Sequence, residues 1–255
     1  MSAEKAEALV LRVIEFSETS AVVTLFTREF GKISGLAKGA RRPKGPFESA
    51  LDLLSRVRLV FLRKSSDALD LLTEAKLERR FRAGGRDLSH LYGAYYVAEL
   101  LGELTHDYDP HPEVFDLAID SLEKLSAGTL PAGFTVLRFE LTALRMLGHL
   151  PSLRECVECG KAILGDRRKA FGLASGGVLC EACRPGKRHV VSLSGEAVDW
   201  LERLAEPGDA WSTTLPERRH AGELRGVVSQ YIAHLIGHKP RMHDYLGLPG
   251  VKASS

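Results

Sequence analysis

The four cysteines of this 255-residue sequence form its most specific chemical pattern. They occur as two C-x-x-C pairs, Cys156 with Cys159 and Cys180 with Cys183, and twenty residues separate the pairs. Two tight turns that each present two thiolates are typical of a tetrahedral structural zinc site, which leaves no open coordination position for catalysis. We therefore predict one structural Zn²⁺ per chain. Two disulfides or two redox motifs are the alternatives, and a reducing compartment disfavours them.

A second pattern is the cationic stretch KGARRPKG, residues 38–45, which contains four cations, two glycines and a proline. Because glycine and proline disfavour both a helix and the middle of a strand, we expect this stretch to be a loop. Its cations could contact phosphates, and a solvated loop tip is the alternative interpretation. With the flanking segments included, we predict DNA contacts from seven cations: Lys32, Lys38, Arg41, Arg42, Lys44, Arg56 and Arg58.

The net charge of +2 conceals an uneven distribution of charge along the chain. Residues 28–64 hold ten Lys or Arg against three acids, whereas residues 85–150 hold four against ten. Such asymmetry indicates different partners for different parts of the chain. The cysteine segment is basic as well, and for it a phosphate contact and a solvated basic face remain equally open.

No motif for catalysis accompanies these patterns. The sequence lacks a P-loop, a G-x-S-x-G elbow and an H-E-x-x-H helix, and its nine histidines have no ligand or triad spacing. We therefore predict that the protein is not an enzyme. Asp107 and Asp109 could serve a metal-dependent nuclease, although an acidic loop at a helix end is the simpler explanation.

Five short β-branched runs come before residue 83 and would position the cationic stretch. They are LVLRVIEF, AVVTLFT, KISGLA, RVRLVFL and ALDLLTEAKL, and turn residues separate them. Closure into a small OB-type barrel would remove the exposed edges of these strands, and KGARRPKG would then connect the third strand with the fourth. Phe30 and Phe47 could stack on bases, but burial in the barrel is the commoner fate of single phenylalanines.

After Gly84 the apolar residues recur at spacings of three and four, which predicts helices. The helical segments are LSHLYGAYYVAELLGELTHDY, EVFDLAIDSLEKL, GFTVLRFELTALRMLGHL, SGEAVDWLERLAE and HAGELRGVVSQYIAHLIG. Ser194 is the expected N-cap of the fourth segment. Tyr92, Tyr95 and Tyr96 are expected to pack between helices, and base stacking is the less favoured role for them.

These patterns predict an α+β multidomain fold: an N-terminal five-stranded OB-type β-barrel, then an all-α helical domain with an inserted zinc ribbon of four cysteines. We assign residues 1–82 to the barrel, 83–150 and 191–255 to the two parts of the helical domain, and 151–190 to the zinc ribbon. The N-terminus lacks a signal-peptide pattern, and no run of about 18 apolar residues occurs. We therefore expect a cytoplasmic protein with no membrane partner.

Three ordered stretches of the sequence also carry a family resemblance. They are SETSAVVTLFTREFGKISGLAKGARRPKG, AYYVAELL and RFELTALRMLGHLPSLRECVECG. In this order they resemble signatures of the bacterial RecO family of recombination mediators, and the resemblance extends over nearly the whole chain. Two stretches depart from the family pattern: SALDLLSRVRLV lacks an aromatic that is common there, and GHKPRMHDYL matches only loosely.

The resemblance implies a nucleoid-associated protein of recombinational DNA repair. It implies binding of single- and double-stranded DNA, annealing of complementary strands without ATP and, with RecR, loading of RecA onto strands covered by single-strand-binding protein. The C-terminal tail of that protein would dock on the helical domain, where Arg138 matches a basic docking residue; an exposed helix cation is the alternative. An RNA- or ribosome-associated OB and zinc-ribbon protein is the main alternative function.

Overall fold

The computed structural model describes residues 3–40, 42, 45–47, 50–64, 68–84, 88–165, 167–208 and 210–246. Two of the predicted DNA contacts, Arg41 and Lys44, lie outside the described residues. The chain forms two compact units: unit 1 comprises Met1–Gly84 and Ala94–Ser126, and unit 2 comprises Gly85–Gly93 and Ala127–Ser255. The predicted domain borders lie at changes in secondary structure, whereas the two units are defined by their compactness. The predicted borders therefore stay a prediction.

Unit 1 begins with a closed five-stranded barrel, as the sequence predicts. Its strands are β1 (Ala3–Glu15), β2 (Ala21–Thr27), β3 (Gly31–Ala37), β4 (Arg56–Leu62) and β5 (Asp70–Arg79). Their order is β1-β2-β3-β5-β4, and β4 pairs with the first half of β1 to close the barrel. All strand pairs are antiparallel except β3 with β5. This arrangement is the predicted OB-type barrel.

The barrel closes around alternating apolar side chains. In β3 every second residue from Gly31 to Ala37 is buried, which is the period-2 pattern of a strand with one face in a core. Phe47 is 1% exposed within this core, and Phe30 packs edge-on against Phe61 with the ring centroids 5.4 Å apart. The expectation that both Phe30 and Phe47 are barrel residues is confirmed.

Two helices follow the barrel: α1 (Ser89–Leu104) and α2 (Pro112–Ala127). Within unit 1, the ring of Phe115 on α2 lies 6.3 Å from that of Phe26 on β2. Arg28 donates hydrogen bonds of 3.0 and 2.9 Å to the carboxylate of Asp116. These hydrogen bonds lower the pKa of Asp116 and raise the pKa of Arg28. Tyr96 of α1 is fully buried, as expected.

The described residues of unit 2 form three further helices and two 3-10 helices. They are α3 (Ala132–Met146), α4 (Gly195–Ala205) and α5 (Arg218–Ile236), with 3-10 turns at Ala210–Thr213 and Arg241–Tyr245. Ser194 is the N-cap of α4, as predicted, because its Oγ accepts a 3.1 Å hydrogen bond from the Ala197 amide. None of the helices in the described ranges has the length and apolar character that crossing a bilayer requires.

Helix α3 is buried from Ala132 to Leu144, although it carries charged residues. A buried charge is tolerated only when it is paired and hydrogen-bonded. Glu140 of α3 accordingly pairs with Arg225 of α5, and both side chains are almost completely buried. The helical segments of the sequence are therefore found where the apolar spacing predicts them, but the polar contacts that join α3 to α5 are long-range.

The cysteine segment of unit 2 includes a three-stranded sheet. It consists of β6 (Lys169–Gly172), β7 (Gly177–Leu179) and β8 (Val190–Leu193), in the order β7-β6-β8. The β6–β7 hairpin lies between the two C-x-x-C pairs, which is the arrangement of a zinc ribbon. None of these three strands is predicted individually from the sequence, because runs of three or four residues are too short to show a period.

Candidate functional site

The two C-x-x-C pairs form two knuckles that face each other. In the first knuckle, the Cys156 amide donates to the Lys161 carbonyl and the Gly160 amide donates to the Cys156 carbonyl, both at 2.8 Å. Gly160 has a φ of +70°, which glycine adopts without steric cost. In the second knuckle, the Cys183 amide donates to the Cys180 carbonyl at 3.1 Å. These turns bring the sulfur atoms of all four predicted ligands within 4.8 Å of one another.

The spacing of the sulfur atoms fits a metal ion. The Sγ atoms of Cys159 and Cys180 are 3.8 Å apart. Tetrahedral bonds of about 2.3 Å to zinc would separate the ligand sulfurs by about 3.8 Å. The four cysteines are free thiols, so the disulfide alternative is not what the structure contains. The cluster is therefore compatible with a structural metal bound by four thiolates.

Hydrogen bonds prepare one of these thiols for a cation. The Cys180 amide donates to Sγ of Cys156 at 3.4 Å, and this contact is the main reason why the pKa of Cys156 falls to about 6. Hydrogen bonds with the side chains of Cys180 and Cys159 raise the pKa of Cys183 to about 12. The amide donor thus favours the thiolate form of Cys156, which is the form in which a cysteine binds a metal ion.

Ion pairs hold the cysteine module together and fix it on α4. Lys187 pairs with Glu158 at 2.6 Å and so joins the second knuckle to the first. Arg154 donates hydrogen bonds of 2.7 and 2.8 Å to the two carboxylate oxygens of Glu202 on α4. From the sequence alone, both cations belong to a basic segment and have no individual role. Their positions, two residues before Cys156 and four after Cys183, are the signal that could have indicated a positioning role.

The cationic connection, residues 38–45 between β3 and β4, presents two described cations to solvent. Lys38 and Arg42 are both exposed. A turn orders this part of the connection, because the Arg42 amide donates to the Gly39 carbonyl at 3.1 Å and Gly39 has a φ of +77°. Neither cation forms an ion pair with a carboxylate of the described residues. Both can therefore accept an external anion without losing an internal partner.

Lys32 is placed differently, although it precedes Lys38 by only six residues. Its Nζ donates to the carbonyls of Gly102 and Thr105 at 2.8 and 2.7 Å, and lies 3.6 Å from a carboxylate oxygen of Asp107. A lysine at a helix C-terminus satisfies carbonyls that have no partner within the helix. A phosphate contact from Lys32 would require the loss of these bonds, and its DNA-binding role stays a prediction.

Arg56 and Arg58 lie on the outer surface of β4 and are both ion-paired. Arg56 contacts Glu7 of β1 and lies 3.4 Å from Glu78 of β5, and Arg58 also contacts Glu78. The side chain of Arg58 is 78% exposed, against 34% for Arg56. Because exposed ion pairs contribute little free energy, a phosphate could compete for Arg58 more readily than for Arg56.

Arg138 is buried, with 8% of its surface exposed. Its guanidinium donates to the Thr142 hydroxyl, to the Leu204 carbonyl and, at 3.2 Å, to the Gly208 carbonyl, and it lies 5.6 Å from the ring centroid of Trp211. The alternative of an exposed helix cation is wrong, because Arg138 is buried and donates to the Leu204 carbonyl in the last turn of α4 and to the Gly208 carbonyl beyond it. Its role toward a partner's carboxylates stays a prediction.

The acidic loop between α1 and α2 does not form a metal site in the described part of the chain. Asp107 lies beside Lys32, and Asp109 is 3.1 Å from Nε2 of His111. Among the described residues, the four cysteines are the cluster that brings three or more potential metal ligands together, and the acids of this loop are not part of it. The geometry thus supports an acidic loop at a helix end rather than a nuclease centre.

The strand order and the cysteine module together define the class of this protein. It is a multidomain OB-barrel protein, and such barrels bind oligonucleotides or oligosaccharides. Comparison with family models narrows the class: residues 1–81 match "Recombination protein O N terminal", and residues 85–244 match "Recombination protein O C terminal". The chain therefore belongs to the RecO family.

Full-length relatives agree with the family models. A protein of Rhodopirellula baltica named DNA repair protein RecO is 42% identical over 263 residues, which cover 94% of this chain and 97% of the relative. RecO proteins of Anaeromyxobacter dehalogenans and Myxococcus xanthus are 35% and 36% identical, each over 96% of this chain and over 96% and 97% of the relatives. The resemblance found in the sequence motifs is confirmed.

Proposed function

We propose that this protein is a DNA-binding recombination mediator. It binds single- and double-stranded DNA, anneals complementary strands without ATP and, together with RecR, loads RecA onto single strands covered by single-strand-binding protein. The observation that carries the proposal is the cationic connection, whose exposed Lys38 and Arg42 lie on an OB-type barrel of a RecO-family chain. We assign its activity to the cytoplasm, at the nucleoid.

The mechanism is charge neutralisation. Cations on the barrel contact the phosphates of two strands and lower their mutual repulsion, and duplex formation then proceeds downhill without nucleotide hydrolysis. The primary contacts in this proposal are Lys38, Arg41, Arg42 and Lys44, with Arg58 as a further contact. Lys32 and Arg56 would join them only by exchanging internal partners for phosphate.

The metal in the proposal is one Zn²⁺ per chain, bound by Cys156, Cys159, Cys180 and Cys183. Its role is structural, because four thiolates complete the tetrahedral coordination of zinc. The ion would hold the two knuckles together at the point where Lys187 and Glu158 already pair. The chain's own residues would then keep the module on α4 through Arg154.

We assign the contacts with partner proteins to the helical domain. In this assignment Arg138 pairs with the acidic C-terminal tail of single-strand-binding protein while it also supports the end of α4. A synthetic tail peptide should bind Arg138→Lys more tightly than Arg138→Met, as measured by calorimetry on variants of matched thermal stability. Equal affinity of the two variants for the peptide would remove Arg138 from the docking site.

A binding titration tests the proposal. Fluorescence anisotropy should detect binding to a labelled single-stranded oligonucleotide and to the matching duplex. If about five cations contact a single strand, the slope of log K against log salt should be about −3 to −4. No binding at low salt would contradict the proposal. Strong preference for RNA would favour the RNA-associated alternative, and magnesium-dependent scission would indicate a nuclease.

A further inference from the structure

A row of apolar side chains crosses the outer face of the barrel, beside the hairpin of β1 and β2. Ile14 pairs with Val22, Val22 with Leu36, and Leu36 with Leu71. The alternate residues of these strands, such as Val23, belong to the barrel core, so the row must point outward. Ile14 is 43% exposed, and the other three residues are half-buried.

An aromatic side chain continues this row at the tip of the hairpin. Phe16 lies two residues beyond Ile14, and its amide donates to the Ser20 carbonyl at 3.0 Å, so the ladder between the strands extends to it. Phe16 is 66% exposed. A phenylalanine that is exposed to this extent and lies outside the barrel core can stack on a planar partner.

Cations and hydroxyl groups border the row. Lys38, at the start of the cationic connection, lies two residues beyond Leu36, just after the end of β3, and is exposed. Arg12 lies two residues before Ile14 and pairs with Thr24, whose hydroxyl is 3.4 Å from that of Ser34. No carboxylate of the described residues forms an ion pair with Arg12 or Lys38.

We propose that this face binds the bases of single-stranded DNA, with Phe16 stacking on one base and the aliphatic row on its neighbours. Lys38 and Arg12 then contact the phosphates of the same strand. The surface combines an exposed aromatic side chain with exposed cations, which is the combination that sequence-tolerant single-strand binding uses, and the aliphatic row adjoins them. A protein partner of neutral apolar surface would gain nothing from the bordering cations.

This inference rests on the proposed DNA binding and adds a distinction to it. The cationic connection contacts phosphates, which single strands and duplexes both present. Phe16 and the apolar row contact base faces, which a duplex hides by stacking. The face that carries Phe16 and the apolar row therefore gives the barrel its preference for single strands, whereas the cationic connection gives it general affinity for DNA.

Anisotropy titrations of Phe16→Ala with oligo(dT) and with a duplex test the inference. The variant should bind oligo(dT) about tenfold more weakly, because it loses the stacking of one base, and should bind the duplex as wild type does. Phe16→Trp should keep the affinity for oligo(dT), and its added fluorescence should be quenched on binding. Leu164→Ala is the matched control, because Leu164 is an exposed apolar residue, 83% exposed, in the cysteine module.

Unchanged oligo(dT) affinity of Phe16→Ala would overturn the inference, as would unquenched Phe16→Trp at saturation. If Phe16→Ala instead abolishes self-association in sedimentation while oligo(dT) affinity is unchanged, the face is an interface between copies of the chain. Failure of the wild type to bind any DNA would contradict the proposed function itself. The two failures are therefore distinguishable in one set of titrations.

Discussion

At the scale of single residues, Lys32 and Lys38 show how two lysines of one strand region acquire different roles. Lys32 closes the end of α1 through two carbonyls, and Lys38 is exposed at the start of the cationic connection. Lys32→Met should lower the free energy of unfolding by about 2 kcal/mol, because it leaves two part-buried carbonyls without a charged donor. Urea denaturation measures this effect.

Lys38→Met is the matched variant for Lys32→Met. It should leave the free energy of unfolding unchanged and make the salt slope of single-strand binding shallower by about 0.7, the contribution of one phosphate contact. A lower free energy of unfolding in Lys38→Met would contradict the exposed position of Lys38. An unchanged free energy of unfolding in Lys32→Met would contradict its contacts with the two carbonyls.

His243 provides a pH-dependent prediction at the same scale. Burial, and then the positive charge of Arg225, lowers the pKa of His243 below its ordinary value. Asp244 acts in the opposite direction, and the adjacent Lys239 adds to the lowering. The imidazole of His243 therefore binds a proton more readily in the unfolded chain than in the folded one. Its neutral form contributes fully to the free energy of unfolding above the ordinary histidine pKa, and this contribution decreases as the pH falls below about 6.5.

The thermal melting temperature of His243→Gln measures this effect. Between pH 7 and pH 5 the melting temperature of the variant should fall less than that of the wild type. His238→Gln, which changes an exposed histidine nearby, is the control and should follow the wild type. Parallel pH profiles for wild type and His243→Gln would show that the imidazole is not held neutral in the fold.

At the scale of elements, the cationic connection is a separable DNA contact. Replacing Arg41, Arg42 and Lys44 by Ala should weaken single-strand binding at moderate salt and flatten the salt slope by about 2, which corresponds to three phosphate contacts. The exposed cation Arg219 of α5, replaced by Ala, is the control and should bind as wild type does. An unchanged slope in the triple variant would assign the phosphate contacts to another element.

The cysteine module is the second element with its own prediction. Cys156→Ser and Cys180→Ser should each lose about one zinc per chain and lower the thermal stability, because a missing thiolate opens the tetrahedral site. Metal analysis and calorimetry measure the two effects. A metal-free wild type with unchanged stability would contradict a structural role for the ion.

The elements were largely predictable from the sequence, and their polar contacts were not. The β-branched runs and turn residues predict all five barrel strands, and the C-x-x-C spacing predicts the sulfur cluster, because these signals are local. The burial of Arg138 depends on carbonyls that are distant in the sequence, at Leu204 and Gly208. The period-2 spacing of a strand places Phe16 on the same face as Ile14, and this can be inferred from the sequence. Only the structure shows that this face of the barrel is exposed.

At the scale of the whole molecule, the uneven charge along the chain agrees with separate tasks for its parts. The basic segment 28–64 lies in the barrel half of the sequence, and the acidic segment 85–150 lies in the helical half. Membership of the RecO family gives these parts a common setting in DNA repair. We therefore expect that DNA contacts the barrel first and that the helical part contacts partner proteins.

Annealing of complementary oligonucleotides, each coated with single-strand-binding protein and mixed without ATP, tests the central claim most directly. Duplex formation can be followed by energy transfer between dyes on the two strands. We predict that the wild type accelerates duplex formation and that the triple variant of Arg41, Arg42 and Lys44 does not. A wild-type rate equal to the rate without protein would contradict the account of this chain as a recombination mediator.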